Sequence, residues 1–238
     1  MSEPGARVPL AETCRVVGGE VPLWPYHRAR LAAAGLDEAL LRNADTAVRD
    51  AARRFKRARP GQRFRLSLAV WPDERDLRVT VIRRLSSLDV PNGPTVARVD
   101  VTESPVLPPG PAKPADRSYW DDAHGRAKAL GAHQAVLVAA NGMIVDGSTA
   151  TVWIAEKGEL VTPPSPPAIP GAARAMVLAR AADAGLTVRV EPITWERFEA
   201  ADEAFLTNAF GGAAPVRERG GPLFERVAEM FAEVWRGA

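Results

Sequence analysis

The segment Ser104-Pro105-Val106-Leu107-Pro108-Pro109-Gly110-Pro111-Ala112 divides the 238-residue chain into two parts. Proline lacks a backbone N–H and disrupts helices and central strands, so this run predicts a linker rather than a regular element. We therefore predict a smaller α+β domain over residues 1–103, a linker over 104–112 and a larger α/β domain over 113–238. A chain of this length is able to bury a sizeable core.

Hydrophobic periodicity and turn residues predict the elements on both sides of the linker. In the first part we predict strands at Leu10–Val17, Val21–Trp24, Arg63–Trp71, Leu77–Arg84 and Val96–Val101, and helices at His27–Ala34 and from Asp37, the cap, to about Ala58. In the second part we predict helices at Ser118–Leu130, Gly171–Ala184, Trp195–Ala200 and Pro222–Trp235, and strands at Ala135–Ala140, Met143–Val145, Thr151–Ala155, Leu160–Thr162, Thr187–Val190 and Ala204–Thr207.

The composition, with 46% hydrophobic and 25% charged residues, is that of an ordinary globular protein. The single cysteine, Cys14, excludes an internal disulfide and a cysteine-based zinc site. The histidines His27, His124 and His133 lack the spacing of metal ligands, so we expect no metal. No apolar run reaches the roughly 20 residues of a membrane span, and the N-terminus lacks a signal pattern. We expect a cytoplasmic protein without a membrane partner.

The charge pattern offers one basic stretch, residues 49–65, which is rich in arginine. Basic clustering with no interleaved aromatic residue beyond Phe55 is typical of a solvated helix face, so we expect no nucleic-acid partner. Only four of the 31 basic residues are lysines. Arginine remains charged at any usable pH and serves neither as a nucleophile nor as a general base, so the lysine positions merit separate inspection.

Lys113 stands directly after the apolar Pro/Gly run and not on a charged helix face. An amine among apolar neighbours has its charged form disfavoured, so its pKa falls and it becomes a usable nucleophile toward a carbonyl. A solvated linker lysine is the alternative that the residue alone leaves open.

Two segments resemble anion cradles. Pro170-Gly171-Ala172-Ala173-Arg174 places small residues at a helix start, where free N–H groups and the helix dipole favour a phosphate. Thr207-Asn208-Ala209 ends a predicted strand and continues into Gly211-Gly212, which allows a second close approach of backbone amides to an anion.

Five segments, taken in order, resemble the class IV aminotransferase family of pyridoxal-phosphate enzymes. The family includes branched-chain and D-amino-acid aminotransferases and 4-amino-4-deoxychorismate lyase. The matching segments are Glu12–Val16 with Gly19, His27–Leu31 (H-x-x-R-L), Lys113–Arg117 (similar to K-x-x-N-R), Pro170–Arg174 (similar to P-G-I-T-R) and Ala201–Ala209 (similar to A-D-E-V-F-L-T-N-S).

This resemblance implies a two-domain α+β fold of the D-amino-acid aminotransferase type, with the cofactor between the domains, and a homodimer. It implies pyridoxal 5'-phosphate as cofactor, a small-molecule amine as substrate and Lys113 as the catalytic lysine. The cofactor-binding residues carried over from the family motifs are Arg30, which grips the phosphate, and Asp146, Gly171, Ala172, Ala173, Asn208 and Ala209.

The chain departs from the family pattern at four positions. Asp146 replaces the glutamate that pairs with the pyridine nitrogen, and Thr151 replaces the asparagine of the same motif. Ala173 and Ala209 replace hydroxyl residues of the phosphate cradle, and each lost hydrogen bond to a charged group is worth roughly 1.5–3 kcal/mol.

The F-L-T-N version of the last motif, Phe205–Asn208, is closer to the lyase than to the branched-chain enzymes. The resemblance therefore predicts a 4-amino-4-deoxychorismate lyase that releases pyruvate and 4-aminobenzoate. Two alternatives remain open at this stage: a class IV aminotransferase, and a degenerate relative that no longer binds the cofactor.

Overall fold

The computed structural model describes residues 8–58, 62–102, 105, 107 and 112–237, and these residues form two compact units. The N-terminal unit takes in the described residues up to Arg84 together with those of 107–117. The C-terminal unit takes in those of 85–106 and 118–237. Most of the predicted linker lies outside the described residues.

The N-terminal unit is an antiparallel sheet covered by two helices. Its elements are β1 (Leu10–Val16), α1 (Trp24–Ala33), α2 (Glu38–Arg53), β2 (Phe64–Trp71) and β3 (Asp76–Arg83). The strand order is β1-β2-β3, and both pairs are antiparallel. The predicted cap of α2 is confirmed, because the Asp37 side chain accepts a hydrogen bond from the Leu40 N–H at 2.9 Å.

The core of the N-terminal unit follows the alternation of β1. Every second residue of this strand is buried, and three of the four buried residues are the apolar Leu10, Cys14 and Val16. The fourth is Glu12, whose exposed fraction is 1%. A charged residue at a core position requires compensating partners, so Glu12 marks a place where the sequence serves more than packing.

One strand predicted in the N-terminal unit, Val21–Trp24, does not form. Trp24 instead begins α1, and Pro25 occupies the first turn of that helix. Proline is favoured at this position because its missing N–H would have no partner there and its fixed φ suits a helix. The predicted helix at His27–Ala34 thus begins three residues earlier.

The C-terminal unit contains two sheets. Its elements are β4 (Val96–Val101), α3 (Ser118–Ala129), β5 (Gln134–Ala139), β6 (Ile144–Gly147), β7 (Thr151–Glu156), β8 (Glu159–Thr162), α4 (Ala172–Arg180), β9 (Val188–Val190), α5 (Trp195–Ala200), β10 (Glu203–Asn208), β11 (Gly212–Pro215) and α6 (Pro222–Arg236). One sheet has the order β4-β5-β6 and the other the order β11-β10-β7-β8-β9.

Strand β4 belongs to the C-terminal unit, whereas its position before the Pro/Gly run predicted that it belongs to the first part of the chain. It pairs in parallel with β5 from Val96 opposite Gln134 to Val101 opposite Ala139. A sheet position is set by hydrogen-bonded partners and not by the place of a proline-rich run in the chain. The short strand β11 was not predicted because its sequence, Gly-Ala-Ala-Pro, has low strand propensity.

Among the described residues, no helix has the length and apolar character needed to cross a membrane. No group of three or more histidine, cysteine or acidic side chains in the described ranges is placed to hold a metal ion.

Candidate active site

Lys113 lies in the N-terminal unit, where its segment pairs with β1. The Ala11 N–H donates to the Lys113 carbonyl at 3.0 Å, and the Ala115 N–H donates to the Pro9 carbonyl at 2.8 Å. The Lys113 Nζ donates to Thr13 Oγ1 at 3.0 Å. Backbone and side chain are therefore both anchored to one strand, and the solvated-linker interpretation of this lysine does not fit these contacts.

The environment of Lys113 favours its neutral amine. Loss of hydration is the main cause that lowers its pKa from 10.5 to about 7, and the positive charges of Arg117 and Arg30 lower it further. The carboxylate of Glu12 acts in the opposite direction. At neutral pH a substantial fraction of the amine is thus unprotonated and able to act as a nucleophile or a base.

Arg30, on α1, is held by an acidic partner in the same unit. Its Nε donates to Glu12 Oε1 at 3.0 Å and its Nη2 donates to Glu12 Oε2. The other neighbour of this carboxylate is His27, whose Nδ1 lies 2.5 Å from Glu12 Oε2. All three side chains are buried. A guanidinium fixed in this way is oriented before any anion arrives.

Asp146, at the end of β6 in the C-terminal unit, is a buried carboxylate surrounded by N–H donors. The Trp120 indole donates to Oδ2 at 3.1 Å, the Ile169 N–H donates to Oδ2 at 3.0 Å, and the Gly147 N–H donates to Oδ1 at 2.9 Å. Donors of this kind favour the ionised form of a carboxyl group. Burial and the Asp146 charge together raise the pKa of the neighbouring Tyr119 to about 12.

The segment predicted to be an anion cradle lies at the start of α4. Gly171 is the N-cap residue, and no side chain caps the helix. A Cβ atom at Gly171 would lie 2.8 Å from Thr151 Oγ1, so a larger residue does not fit there. In any helix the backbone N–H groups of the first turn point toward the N-terminus, and here these include the N–H groups of Ala172 and Ala173. The helix dipole favours an anion at this end.

Asn208 connects β10 to the loop that follows Asp146. Its Nδ2 donates to the Thr149 carbonyl at 3.2 Å, and its Oδ1 accepts from the N–H groups of Phe210 and Gly211 at 3.1 and 2.6 Å. Ala209, next in the chain, is buried. The asparagine thus shapes the second predicted anion-binding turn.

The structure distributes the predicted site residues over the two units. Lys113 and Arg30 lie in the N-terminal unit, and Asp146, Asn208 and the Gly171–Ala173 and Ala209 positions lie in the C-terminal unit. Within the C-terminal unit, the contacts of Thr151 with Gly171 and of Asn208 with Thr149 bring the predicted residues into one neighbourhood.

Sequence reasoning missed three residues that orient the predicted ones: Glu12, Thr13 and Trp120. Glu12 and Thr13 were quoted as part of a motif without a role, although an acidic residue at a core position of a strand was a usable signal. Trp120 gave no signal, because a tryptophan on an amphipathic helix is typical of a packing residue.

The comparison with known proteins identifies a family. The family model of amino-transferase class IV matches residues 10–218. A Thermotoga maritima protein named a probable branched-chain-amino-acid aminotransferase is 29% identical over 183 residues, which cover 71% of this chain and 65% of that protein. The chain spans less than two thirds of that relative and 38–39% of the further curated relatives it matches.

Solved structures agree with the family model. A branched-chain aminotransferase from Thermoproteus uzoniensis with norvaline has a TM-score of 0.75 at 26% identity, over 97% of this chain and 86% of that one. A Brucella abortus aminotransferase bound to the cofactor PLP has a TM-score of 0.74 at 21% identity, over 100% and 95% of the two chains. The second likeness shows the fold alone. Class IV aminotransferases use pyridoxal phosphate, and this chain belongs to the amino-transferase class IV family.

Proposed function

We propose that this chain is a pyridoxal-phosphate-dependent aminotransferase that acts on a small primary amine as a homodimer. The observation that carries the proposal is the Lys113 amine, which is anchored to Thr13 and has a pKa of about 7. A lysine in this state is suited to bind a carbonyl and to exchange protons at neutral pH.

The donor set fits the cofactor by chemistry. Arg30 offers an oriented guanidinium for a phosphate, and the uncapped start of α4 at Gly171 offers backbone N–H groups. Asp146 offers an ionised carboxylate for a protonated ring nitrogen. Ala173 and Ala209 have no side-chain donors, so at these two positions only the main-chain N–H groups are available to a phosphate.

The chain's own groups then have defined tasks. When bound, pyridoxal phosphate supplies an electron sink for the carbon that bears the amino group. With cofactor and substrate bound, the neutral Lys113 amine would accept the proton of that carbon and release it again from its ammonium form, which requires both protonation states near pH 7. The negative charge of Asp146 would hold the ring nitrogen in its protonated form.

Two features decide which reaction we place first. Curated relatives at 27–29% identity carry names of branched-chain aminotransferases, which supports amino-group transfer. The lyase is a second candidate, because Phe205–Asn208 and Lys113–Arg117 are closer to the lyase motifs. In the lyase reaction, aminodeoxychorismate yields pyruvate and 4-aminobenzoate.

A single pair of assays tests the proposal. Purified protein with added pyridoxal phosphate is given a branched-chain amino acid with 2-oxoglutarate, and separately aminodeoxychorismate without any keto acid. We expect transfer in the first assay, with conversion to the pyridoxamine form when the amino acid is given alone. Pyruvate release without an acceptor would instead establish the lyase. No reaction in either assay, together with a spectrum of free aldehyde, would show a relative that no longer binds the cofactor.

A further inference from the structure

Glu12 lies on the buried face of β1, and the next residue, Thr13, holds Lys113 from the opposite face. We propose that Glu12 is a positioning residue, which fixes Arg30 and His27 and sets the charge balance around the Lys113 amine. The proposal rests on the proposed function and deepens it, because it gives Glu12 a task at Lys113 and Arg30, two residues on which that function depends.

Glu12 is the shared hydrogen-bond partner of Arg30 and His27, which both lie on α1. Both of its carboxylate oxygens accept hydrogen bonds from Arg30, and Oε2 also faces His27 Nδ1 at 2.5 Å. The exposed fractions are 1% for Glu12, 1% for His27 and 8% for Arg30. A carboxylate buried to this degree persists only with such partners, and its removal would take both Glu12 oxygens away from the guanidinium.

The charges of this cluster offset one another. The Arg30 and His27 contacts outweigh the opposing effect of burial and hold the pKa of Glu12 at about 2, so it is ionised at neutral pH. Burial lowers the pKa of His27, so its ring is neutral and Nδ1 is the donor toward Glu12. One negative and one positive charge remain. Without Glu12 the cluster would carry an unbalanced positive charge.

This balance acts on Lys113 because the amine is held against the strand that carries Glu12: its Nζ donates to Thr13 Oγ1, the next residue of β1, at 3.0 Å. The groups that act electrostatically on this amine are Arg117 of its own segment, Arg30 of α1, and Glu12 and Cys14 of β1. The charge of Lys113 in turn lowers the pKa of His27 on α1. Burial raises the pKa of the Cys14 thiol, which is therefore neutral. Of these described groups, Glu12 is the one with a negative charge near pH 7.

The test uses the protein without cofactor. Competitive acetylation with acetic anhydride at a series of pH values, read by mass spectrometry of the Lys113 peptide, gives the apparent pKa of this amine. We expect Glu12→Gln to lower the pKa by about one unit and Arg30→Gln to raise it by a similar amount. The double variant should return close to the original value. Glu20→Gln, which changes an exposed carboxylate in the turn after β1, is the matched control and should leave the pKa unchanged.

Opposite signs for the two single variants separate this role from a merely structural one, which would shift both in the same direction. Equal shifts in one direction, or no shift in Glu12→Gln, would overturn the proposal. If Glu12→Gln does not fold, Glu12→Asp preserves the charge and should keep the Lys113 pKa, and a large shift there would count against the proposal. The acetylation experiment contains no cofactor and measures no turnover. A negative result would therefore overturn the role of Glu12 without deciding the outcome of the aminotransferase assay.

Discussion

At the scale of single residues, Asp146 is the departure from the family pattern that the structure explains best. The shorter side chain is held by N–H groups of Trp120, Gly147 and Ile169 rather than left exposed. The carboxylate is therefore fixed in place among N–H donors that favour its ionised form, which is what a partner of a protonated ring nitrogen requires.

This role of Asp146 makes a testable prediction. Asp146→Asn should keep the cofactor bound but lower the turnover number by about tenfold or more, because a neutral amide does not hold the ring nitrogen protonated. Asp146→Glu, which restores the family residue, should be tolerated. Steady-state kinetics and the visible absorbance of each variant check both statements. Equal activity of Asp146→Asn and the original protein would remove Asp146 from the site.

Arg30 carries a second prediction at this scale. Arg30→Ala should raise the dissociation constant of pyridoxal phosphate by about tenfold or more, because a charge-assisted contact to the phosphate is lost. Fluorescence titration of the protein with the cofactor gives the constant. Arg42→Ala, on the exposed surface of α2, serves as the control. An unchanged constant for Arg30→Ala would contradict the assigned role.

At the scale of elements, α5 shows how a local signal fixes a helix. The predicted helix at Trp195–Ala200 is confirmed with the same bounds, and Thr194 caps it by accepting a hydrogen bond from the Arg197 N–H at 3.1 Å. Phe198, with 1% of its surface exposed, joins the helix to the core of the C-terminal unit.

The cap of α5 yields a prediction about stability. Thr194→Ala should destabilise the fold by about 1 kcal/mol, because the Arg197 N–H loses its acceptor. Thr194→Ser retains the hydroxyl and should cost far less. Urea unfolding of the two variants measures the difference. An equally stable Thr194→Ala protein would show that the cap contributes nothing.

The elements also show what the sequence was able to predict. Strands with clear alternation, such as β2 and β3, were predicted to within one residue at each end. The assignment of β4 failed because its parallel partner β5 lies more than 30 residues further along the chain, and local patterns carry no information about distant pairing. The site residues came from the resemblance to the family motifs, whereas Trp120 emerged only when α3 brought its indole to Asp146.

At the scale of the whole molecule, the desolvated amine of Lys113 links stability to pH. Its pKa is about 7 in the folded protein and near 10.5 when solvated. Between these values the unfolded chain binds more protons, so the stability of the folded protein rises with pH across this window. Below pH 7 the lysine is protonated in both the folded and the unfolded state, so the folded protein bears the whole destabilisation that comes with the lowered pKa.

Replacement of this lysine should therefore stabilise the protein in a pH-dependent way. We expect Lys113→Met to raise the melting temperature more at pH 6 than at pH 10, by about 2–4 °C for each kcal/mol relieved. Lys128→Met, on an exposed helix face, should show no such dependence. Calorimetry at both pH values provides the measurement. A Lys113→Met shift that is the same at pH 6 and pH 10 would indicate that the amine is not desolvated.

The proposed function depends most heavily on Lys113 as the residue that binds the cofactor. The most direct measurement is reduction of the cofactor-loaded protein with borohydride, which fixes the cofactor covalently to its lysine, followed by peptide mapping. We expect a yellow protein that loses its colour on reduction and carries the label on the peptide with Lys113. A label on Lys56, Lys128 or Lys157, or no label at all in a protein saturated with pyridoxal phosphate, would contradict the account.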